Sequence, residues 1–240
     1  MSEGARVWIT RAEPGASATA ARLSALDVST IVAPLLSVQR LQAPLDLDGV
    51  AALAFTSRNA IEAFRAATPV RDLPVFAVGE ATARAARAAG FGEVVSADRD
   101  VAALAKCIGA ARPSGVILHT TGVHQAGDLV GELGRAGLEA RSVELYDTPA
   151  AESLPTLAAE ALRAGGVSAV LFHSPRAGTI LRDLAPDLDY SAVRAIGLSD
   201  ACLDPLAPLG FAKRIAAASP HEDALIDALL VALGKSSRRR

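Results

Sequence analysis

The feature that most constrains the fold of this 240-residue chain is an internal repeat. Residues 53–61 (LAFTSRNAI) resemble residues 170–178 (VLFHSPRAG), and the phenylalanines within them lie 117 positions apart. A second pair, 76–83 (FAVGEATA) and 194–201 (RAIGLSDA), has its glycines 118 positions apart. Because a nearly constant offset is typical of a duplicated structural unit, the sequence predicts two similar domains.

Short apolar runs alternate with longer segments of helical period, which is the pattern of βα units around a parallel sheet. The apolar runs are nearly continuous, as expected for strands that are covered on both faces. The sequence therefore predicts an α/β fold with two parallel sheets of about five strands each. The predicted strands are 7–10, 30–33, 51–55, 75–78, 93–96, 116–119, 140–145, 169–172, 193–196 and 214–217. The predicted helices are 16–26, 59–67, 81–89, 101–111, 128–136, 157–164, 176–184, 199–206 and 222–233.

The repeat begins near residue 50, so the residues before it must belong to another part of the fold. Residues 7–33 supply only two strands and one helix, whereas the part after Pro149 supplies three strands. Together they complete a five-stranded domain, which a second domain interrupts. The first domain is predicted at 1–34 plus 149–240, the second at 38–145, and the chain crossings at 34–38 and 145–148.

Charge and composition exclude several classes of partner. The chain carries 24 basic and 26 acidic side chains, a balance that does not favour binding to nucleic acid. Aromatic residues make up only 4% of the chain, too few for a base-stacking surface. No apolar stretch approaches the ~18 residues of a membrane span, and the first residues lack the pattern of a signal peptide. We expect a cytoplasmic protein with no nucleic-acid or membrane partner.

The sequence predicts neither a metal site nor a cofactor. Cys107 and Cys202 are far apart and outside any C-x-x-C pair, so they are expected to pack as small hydrophobic residues. His119, His124 and His173 lack metal-ligand spacing and are expected to be loop histidines. Glycine-rich nucleotide-binding motifs, the nucleophile elbow and the zinc-protease motif are also missing from the sequence.

Polar, hydroxyl-rich segments follow six of the predicted strands. Each one precedes or opens a helix, whose first N–H groups lack intrahelical partners and attract anions. Ligands of open parallel sheets bind at this edge, so the pattern favours a ligand with several anionic groups. The same residue types also cap helices in any α/β protein, and capping remains the alternative at each single segment. The six segments begin at Thr10, Thr56, Gly79, His119, His173 and Gly197.

Several of these segments together resemble the uroporphyrinogen-III synthase family. Each motif is short, but their order and spacing along nearly the whole chain are specific. The resemblance implies two α/β domains joined by a two-stranded linker, the first built from both ends of the chain. The matching segments are Ile9-Thr10-Arg11, Pro34-Leu35-Leu36, 55–60 (FTSRNA), 78–83 (VGEATA), 145–148 (LYDT), 172–175 (FHSP) and Ile196-Gly197.

The resemblance also implies an activity, that of a cofactor-independent lyase of haem biosynthesis. Such an enzyme cyclises hydroxymethylbilane to uroporphyrinogen III, with loss of water, inversion of ring D, and azafulvene and spiro intermediates. Because the linear substrate also cyclises unaided to the uninverted isomer, the enzyme must act chiefly by orienting it.

The resemblance assigns roles to particular residues of this chain. Tyr146 matches the linker tyrosine and is the candidate for assisting hydroxyl loss; an amphipathic linker tyrosine that only packs is the alternative. Arg11 and Arg58 are candidate carboxylate clamps. The other candidate substrate-binding residues are Thr10, Thr56, Ser57, Asn59, Thr82, Thr121, Gly122 and Ser174.

The partner implied by this interpretation is a small molecule with eight carboxylates, held by hydroxyls and free N–H groups. The protein is expected to be a monomer that makes transient contact with the preceding enzyme of the pathway. A non-enzymatic two-domain sensor or binding protein for a small anionic ligand is the alternative function. Such a protein would not need Tyr146.

Overall fold

The computed structural model describes residues 6–97, 100–125 and 127–235. The chain divides into two compact units. Val38–Thr148 forms one, called here the inserted unit, and the described residues on either side form the other, called the terminal unit. The predicted outer ends of the first domain, at residues 1 and 240, lie outside the described residues.

Strands and helices alternate along almost the whole described chain. The strands are β1 (Arg6–Ile9), β2 (Thr30–Val32), β3 (Gln39–Arg40), β4 (Val50–Phe55), β5 (Val75–Ala77), β6 (Val94–Ser96), β7 (Val116–Gly122), β8 (Ala140–Asp147), β9 (Val167–Phe172), β10 (Arg194–Gly197) and β11 (Lys213–Ala216). The helices are α1 (Gly15–Ser24), α2 (Arg58–Ala67), α3 (Glu80–Ala88), α4 (Val101–Ala111), α5 (Leu129–Arg135), α6 (Thr156–Arg163), α7 (Pro175–Leu184), α8 (Asp200–Leu203) and α9 (Glu222–Ala232). The prediction of a parallel-sheet α/β fold is confirmed.

The terminal unit is built on a parallel sheet with strand order β11-β10-β9-β1-β2. Alternation along β1 sends Trp8 into the core on one face of the sheet and Val7 and Ile9 into the core on the other. The buried indole N–H of Trp8 donates to the carbonyl of Ala33 at 2.7 Å. Strand order reverses between β1 and β9, which places the carboxyl ends of these two strands at a switch point.

The inserted unit has the strand order β3-β8-β7-β4-β5-β6, in which only β3 is antiparallel to its neighbour. Phe55, Phe64 and Phe91 pack together in the core on one face of the sheet, with ring centroids about 6 Å apart. The core on the other face contains Ala54 and Leu104. The order of strands reverses between β4 and β7, so this unit has a switch point of its own.

The two chain crossings run antiparallel to each other. On the terminal side, Leu36 forms a bridge with Ala150. On the inserted side, Arg40 of β3 pairs with Tyr146 of β8. This pairing, with β7 on the other side of β8, holds the backbone of Tyr146 in the sheet.

The structure corrects three details of the sequence-based prediction. Strand β3 was not predicted, because its two residues are exposed and show no apolar pattern. Strand β7 continues through Gly122, beyond the predicted end at 119, because residues 120–122 still pair with β8. The predicted helix 199–206 changes after Leu203 into a 3₁₀ turn that contains Pro205, whose ring disfavours a continuous α-helix.

The two cysteines are free, as predicted, but they differ in burial. Cys202 is buried in the terminal-unit core, whereas Cys107 is half-buried at the edge of a core in the inserted unit. Within the described part of the chain, no helix combines the length and apolar character that a membrane span requires.

Candidate active site

The switch point of the inserted unit opens into a pocket of about 560 Å³. Its position, at the carboxyl ends of β4 and β7, is where ligands of open α/β sheets bind. Four predicted site residues line it, namely Thr56, Ser57, Thr121 and Tyr146. The remaining lining residues are Val78, Asp100, Val101, Ala102, His124, Gln125, Gly127, Asp128 and Glu132.

Tyr146 and Ser57 form the central contact of this pocket. The phenol oxygen of Tyr146 lies 2.8 Å from Oγ of Ser57. Ser57 is also the N-cap of α2, where its Oγ accepts the backbone N–H of Ala60 at 3.1 Å. Because this N–H uses a lone pair of Ser57, the serine hydrogen remains available to the phenol oxygen. In that arrangement the phenol hydrogen of Tyr146 is free to donate to a ligand.

The environment of Tyr146 favours the protonated phenol. Only 8% of the surface of Tyr146 is accessible to solvent. Burial raises the pKa of Tyr146, and the hydrogen bond with Ser57 opposes the rise without cancelling it. At neutral pH this residue is therefore a proton donor inside the pocket.

Gly122 makes room for the ring of Tyr146. The two residues pair across β7 and β8, next to an irregularity in the strand register. A Cβ atom at position 122 would lie 2.7 Å from ring atoms Cε2 and Cζ of Tyr146, closer than real Cβ contacts allow. The sequence predicted Gly122 as a substrate-binding residue; the structure shows that it contacts the candidate catalytic ring.

We expect Gly122→Ala to displace the ring of Tyr146. The added methyl group should lower the free energy of unfolding by about 2 kcal/mol through overpacking. It should also lower kcat by about tenfold or more, because small misplacements of a catalytic group are costly. Steady-state kinetics and thermal unfolding would measure both effects.

Gly134→Ala in α5 is the matched control, because an added Cβ meets nothing within 4 Å there. A glycine-to-alanine change in a helix should raise stability by about 1 kcal/mol and leave kcat unchanged.

The pocket has a hydroxyl side and an acidic side. Thr56, Ser57 and Thr121 come from the ends of β4 and β7, whereas Asp128 and Glu132 come from the start of α5. Asp100 and Asp128 cap α4 and α5 by accepting backbone N–H groups at 2.8 Å. These carboxylates can accept N–H groups of a ligand or stabilise positive charge on it.

His124 is the one histidine among the described lining residues of this pocket. Its Nε2 lies 3.6 Å from Oδ1 of Asp147. The imidazole is half-exposed, so a ligand carboxylate could compete with Asp147 for it.

Besides Gly122, three predicted site residues of the inserted unit do not line the pocket. Arg58 and Asn59 occupy the first turn of α2, where Arg58 is exposed and Asn59 is half-buried. Thr82 lies in the first turn of α3 with its side chain buried. All three lie near carboxyl ends of strands, as predicted, but they are not among the residues that line the pocket.

Two predicted site residues of the terminal unit, Thr10 and Ser174, make hydrogen bonds within the protein. Thr10 is fully buried, and its hydroxyl donates to the carbonyl of Leu171 at 2.7 Å, so it ties β1 to β9 and does not face a ligand. Ser174 is the N-cap of α7, with Oγ accepting the N–H of Ala177 at 3.3 Å. Its hydroxyl hydrogen is still available to a ligand.

Arg11, predicted as a carboxylate clamp, is instead paired within the protein. Its Nη1 donates to Oε2 of Glu222 at 2.9 Å, and the hydroxyl of Thr19 donates to Oε1 at 2.5 Å. Nε2 of His173 lies 3.2 Å from the same carboxylate. This cluster, called the Glu222 cluster, occupies the switch point of the terminal unit, where β1 and β9 end.

Glu222 is strongly held in its charged form. Burial alone would raise its pKa, but the hydrogen bond and charge of His173, the hydrogen bond of Thr19 and the charge of Arg11 together lower it to about 2. In this conformation the guanidinium of Arg11 is therefore engaged by an internal carboxylate. His173 lies in the loop between β9 and α7, as predicted, but its contact with Glu222 could not be read from spacing because the two residues are 49 positions apart.

The acidic residues of the pocket and the burial of His119 were not predicted from the sequence. Aspartates before helices are a recognisable N-cap signal, so Asp100 and Asp128 could have been found as helix starts, though not as pocket residues. His119, expected as a solvated or hydrogen-bonded histidine at the end of the predicted strand 116–119, lies within β7 with 2% of its surface exposed. Its partner there is Thr56, with Nε2 and Oγ1 3.2 Å apart.

Two parallel α/β units, one with a hydroxyl-lined pocket around a protonated phenol, define a two-unit α/β protein with a ligand site at a sheet switch point. The family model for uroporphyrinogen-III synthase HemD matches residues 17–227. The chain belongs to the uroporphyrinogen-III synthase family. Members of this family are cyclising lyases that work without a cofactor. The predicted resemblance and activity are confirmed, and the comparisons do not support the sensor alternative.

Solved structures of similar fold support the same assignment of architecture. Uroporphyrinogen-III synthetase from Helicobacter pylori superposes with a TM-score of 0.67 at 16% identity, over 95% of this chain and 99% of that chain. A mutant uroporphyrinogen III synthase from Thermus thermophilus gives a TM-score of 0.56 at 18% identity, over 97% and 100% of the two chains. No curated protein sequence matches the chain.

Proposed function

We infer that the pocket of the inserted unit receives the hydroxymethyl end of hydroxymethylbilane and that Tyr146 assists the loss of its hydroxyl group. The observation that carries this proposal is the buried phenol of Tyr146, which lines the pocket 2.8 Å from Ser57. A protonated phenol held in this way is suited to donate to a departing oxygen. It is not suited to act as a base at neutral pH, because burial raises its pKa.

The proton balance of the reaction fits a donor that is regenerated. When the C–O bond breaks, the hydroxyl oxygen takes the proton of Tyr146 and leaves as water, and the substrate is left as a cationic, N-protonated azafulvene opposite the phenolate. The substituted carbon of ring D then attacks to form the spiro intermediate, and rearrangement closes the macrocycle. The last step releases a proton from a pyrrole α-carbon, which returns to the phenolate. The net change is the loss of one water, with no oxidation or reduction.

The size and charge of the pocket support binding of one end of the substrate. A volume of about 560 Å³ suits a ligand of drug size, whereas an open-chain tetrapyrrole with eight carboxylates is larger. Asp128 and Glu132 would disfavour substrate carboxylates beside them and stabilise the positive charge that develops on the reacting ring as water leaves. The acidic side therefore suits the reacting ring.

We place the substrate carboxylates at the hydroxyl side. Thr56, Ser57 and Thr121 offer hydroxyl groups there. Arg58, Asn59 and Thr82 remain proposed contacts for parts of the substrate that extend beyond the pocket, since they lie in the first turns of α2 and α3. In the terminal unit, Ser174 is retained as a proposed contact, but Thr10 and Arg11 are not.

The isomer of the product tests this function directly. We expect the purified chain, incubated with freshly prepared hydroxymethylbilane, to yield uroporphyrinogen III in place of the uninverted isomer that forms spontaneously. Chromatographic separation of the two isomers after oxidation measures the ratio. A ratio equal to that of the enzyme-free control would refute the assignment.

We also propose that the chain acts in the cytoplasm as a monomer and receives its substrate through transient contact with the preceding enzyme. The family assignment supports a small tetrapyrrole substrate. The monomeric state and the contact with the preceding enzyme are proposed from the sequence resemblance alone. Analytical ultracentrifugation of the chain, alone and with the enzyme that makes hydroxymethylbilane, would test both. A stable dimer of the chain would contradict the first.

A further inference from the structure

One buried titratable group next to the pocket has no part in the proposed mechanism. His119 lies on β7 and leaves only 2% of its surface exposed. Alternation along the strand places it on the same face as Ile117, which belongs to the apolar core with Leu104 and Leu129. Its Nε2 lies 3.2 Å from Oγ1 of Thr56, a residue that lines the pocket. The imidazole thus lies behind the pocket wall and reaches the pocket through Thr56.

The other ring nitrogen of His119 is buried without a hydrogen-bond partner in the described part of the chain. A neutral imidazole carries one proton, which sits on Nδ1 or on Nε2. A proton on Nδ1 would bury a donor with no acceptor, whereas a bare lone pair at Nδ1 is tolerated more easily. A second proton would bury an unpaired positive charge, which is costlier still. The surroundings therefore select the neutral form with its proton on Nε2.

This tautomer determines how Thr56 presents its hydroxyl. With the proton on Nε2, His119 donates to Oγ1 of Thr56. Thr56 makes no other side-chain hydrogen bond among the described residues, so its own hydrogen is left for a group in the pocket. With the proton on Nδ1 the roles would reverse, and Thr56 would offer the pocket only lone pairs.

We propose that His119 is a positioning residue that fixes Thr56 as a hydrogen-bond donor toward the pocket, and thereby selects an anionic acceptor there, such as a substrate carboxylate, over a pyrrole N–H. The proposal rests on the proposed function for the identity of the ligand. The direction of the hydrogen bond between His119 and Thr56 is a property of the protein alone. Asp128 and Glu132, which also line the pocket, offer carboxylate acceptors instead.

Nitrogen NMR of the histidine-labelled full chain tests the direction of this hydrogen bond without substrate. The chain has four histidines, so the signals of His119 can be assigned by their loss in His119→Gln. We expect the Nε2-protonated neutral ring at pH 7. A ring protonated on Nδ1, or on both nitrogens, would overturn the proposal. This result does not depend on whether the chain is active.

Kinetics test the consequence for substrate binding. We expect His119→Leu to raise KM for hydroxymethylbilane about tenfold with little change in kcat, because the lost hydrogen bond orients a donor to a charged group. His119→Gln should restore most of the affinity, because its amide nitrogen can donate from nearly the same place. In a Thr56→Val background, His119→Leu should add no further increase in KM. An equal increase in both backgrounds would overturn the proposal, since His119 would then act independently of Thr56.

Thr120→Val is the matched control for these variants. Thr120 is a fully buried neighbour on β7 whose hydroxyl lacks a partner among the described residues. Its replacement should leave KM unchanged and should not lower the melting temperature.

The isomer assay and the NMR experiment can fail independently. If the chain does not form uroporphyrinogen III but His119 carries its proton on Nε2, the proposed function is refuted and the direction of the hydrogen bond is supported. If the chain forms uroporphyrinogen III but His119 is not protonated on Nε2 alone, only the role of His119 is refuted.

Discussion

Tyr146→Phe is expected to lower kcat for uroporphyrinogen III formation roughly 100-fold, while KM changes much less. The substitution removes the one phenol that lines the pocket and keeps the ring that packs over Gly122. Loss of a general acid costs at least about 100-fold in most enzymes where it has been measured. Because the hydroxyl acts mainly on the departing oxygen, its effect should appear in the chemical step and not in substrate binding. Initial rates over a range of hydroxymethylbilane concentrations would separate kcat from KM.

Tyr190→Phe provides the control, because Tyr190 is the other tyrosine of the chain and is also buried. Its hydroxyl donates to the carbonyl of Ala185 at 3.0 Å, and its ring stacks on Phe211 in the terminal unit. Removing this hydroxyl should cost about 1 kcal/mol of stability and leave kcat unchanged. If Tyr146→Phe retained full kcat, the phenol would be dispensable and the proposed donor would have to be sought elsewhere.

The strands and helices could be predicted because their signals are local. An apolar run ends at Phe55 and again at Phe172, and a helix follows both Ser57 and Ser174. In the structure, each serine caps its helix by accepting the backbone N–H of the residue three positions later. The short strand β3 had no such signal, because it exists only through pairing with β8. The pairing of β1 with β9 joins segments about 160 residues apart. Local patterns cannot predict such a pairing, whereas the repeat indicates that both segments belong to one domain.

The candidate site was predictable in its residue types but not in its contacts. Thr10 and Thr56 each follow a strand and looked alike in sequence. In the structure the first is closed off by the carbonyl of Leu171, whereas the second faces a pocket. Arg11 looked like an available cation because its partner, Glu222, lies 211 positions away. Pairings over such distances depend on how helices pack on the sheet, which short motifs do not encode.

Glu222→Gln is expected to lower the free energy of unfolding by about 3 kcal/mol at neutral pH. Three polar neighbours, Arg11, Thr19 and His173, surround the carboxylate and lower its pKa from 4.5 to about 2, although burial opposes them. Each pH unit of that depression corresponds to ~1.4 kcal/mol. The side chain is 24% exposed, so solvent screens the cluster only in part. Chemical denaturation followed by circular dichroism would measure the change.

The pH dependence distinguishes loss of the charge from a general packing defect. Because the folded-state pKa of Glu222 is depressed, its stabilisation is fully present above about pH 4.5 and is lost as the pH falls toward 2. The stability difference between the wild type and Glu222→Gln should therefore shrink as the pH falls below about 5. Asp223→Asn is the matched control, since Asp223 is the next residue of α9 and its ion pair with Arg22 is exposed. That change should cost less than about 1 kcal/mol. A difference for Glu222→Gln that stayed constant down to pH 2 would show that the carboxylate charge is not what stabilises the Glu222 cluster.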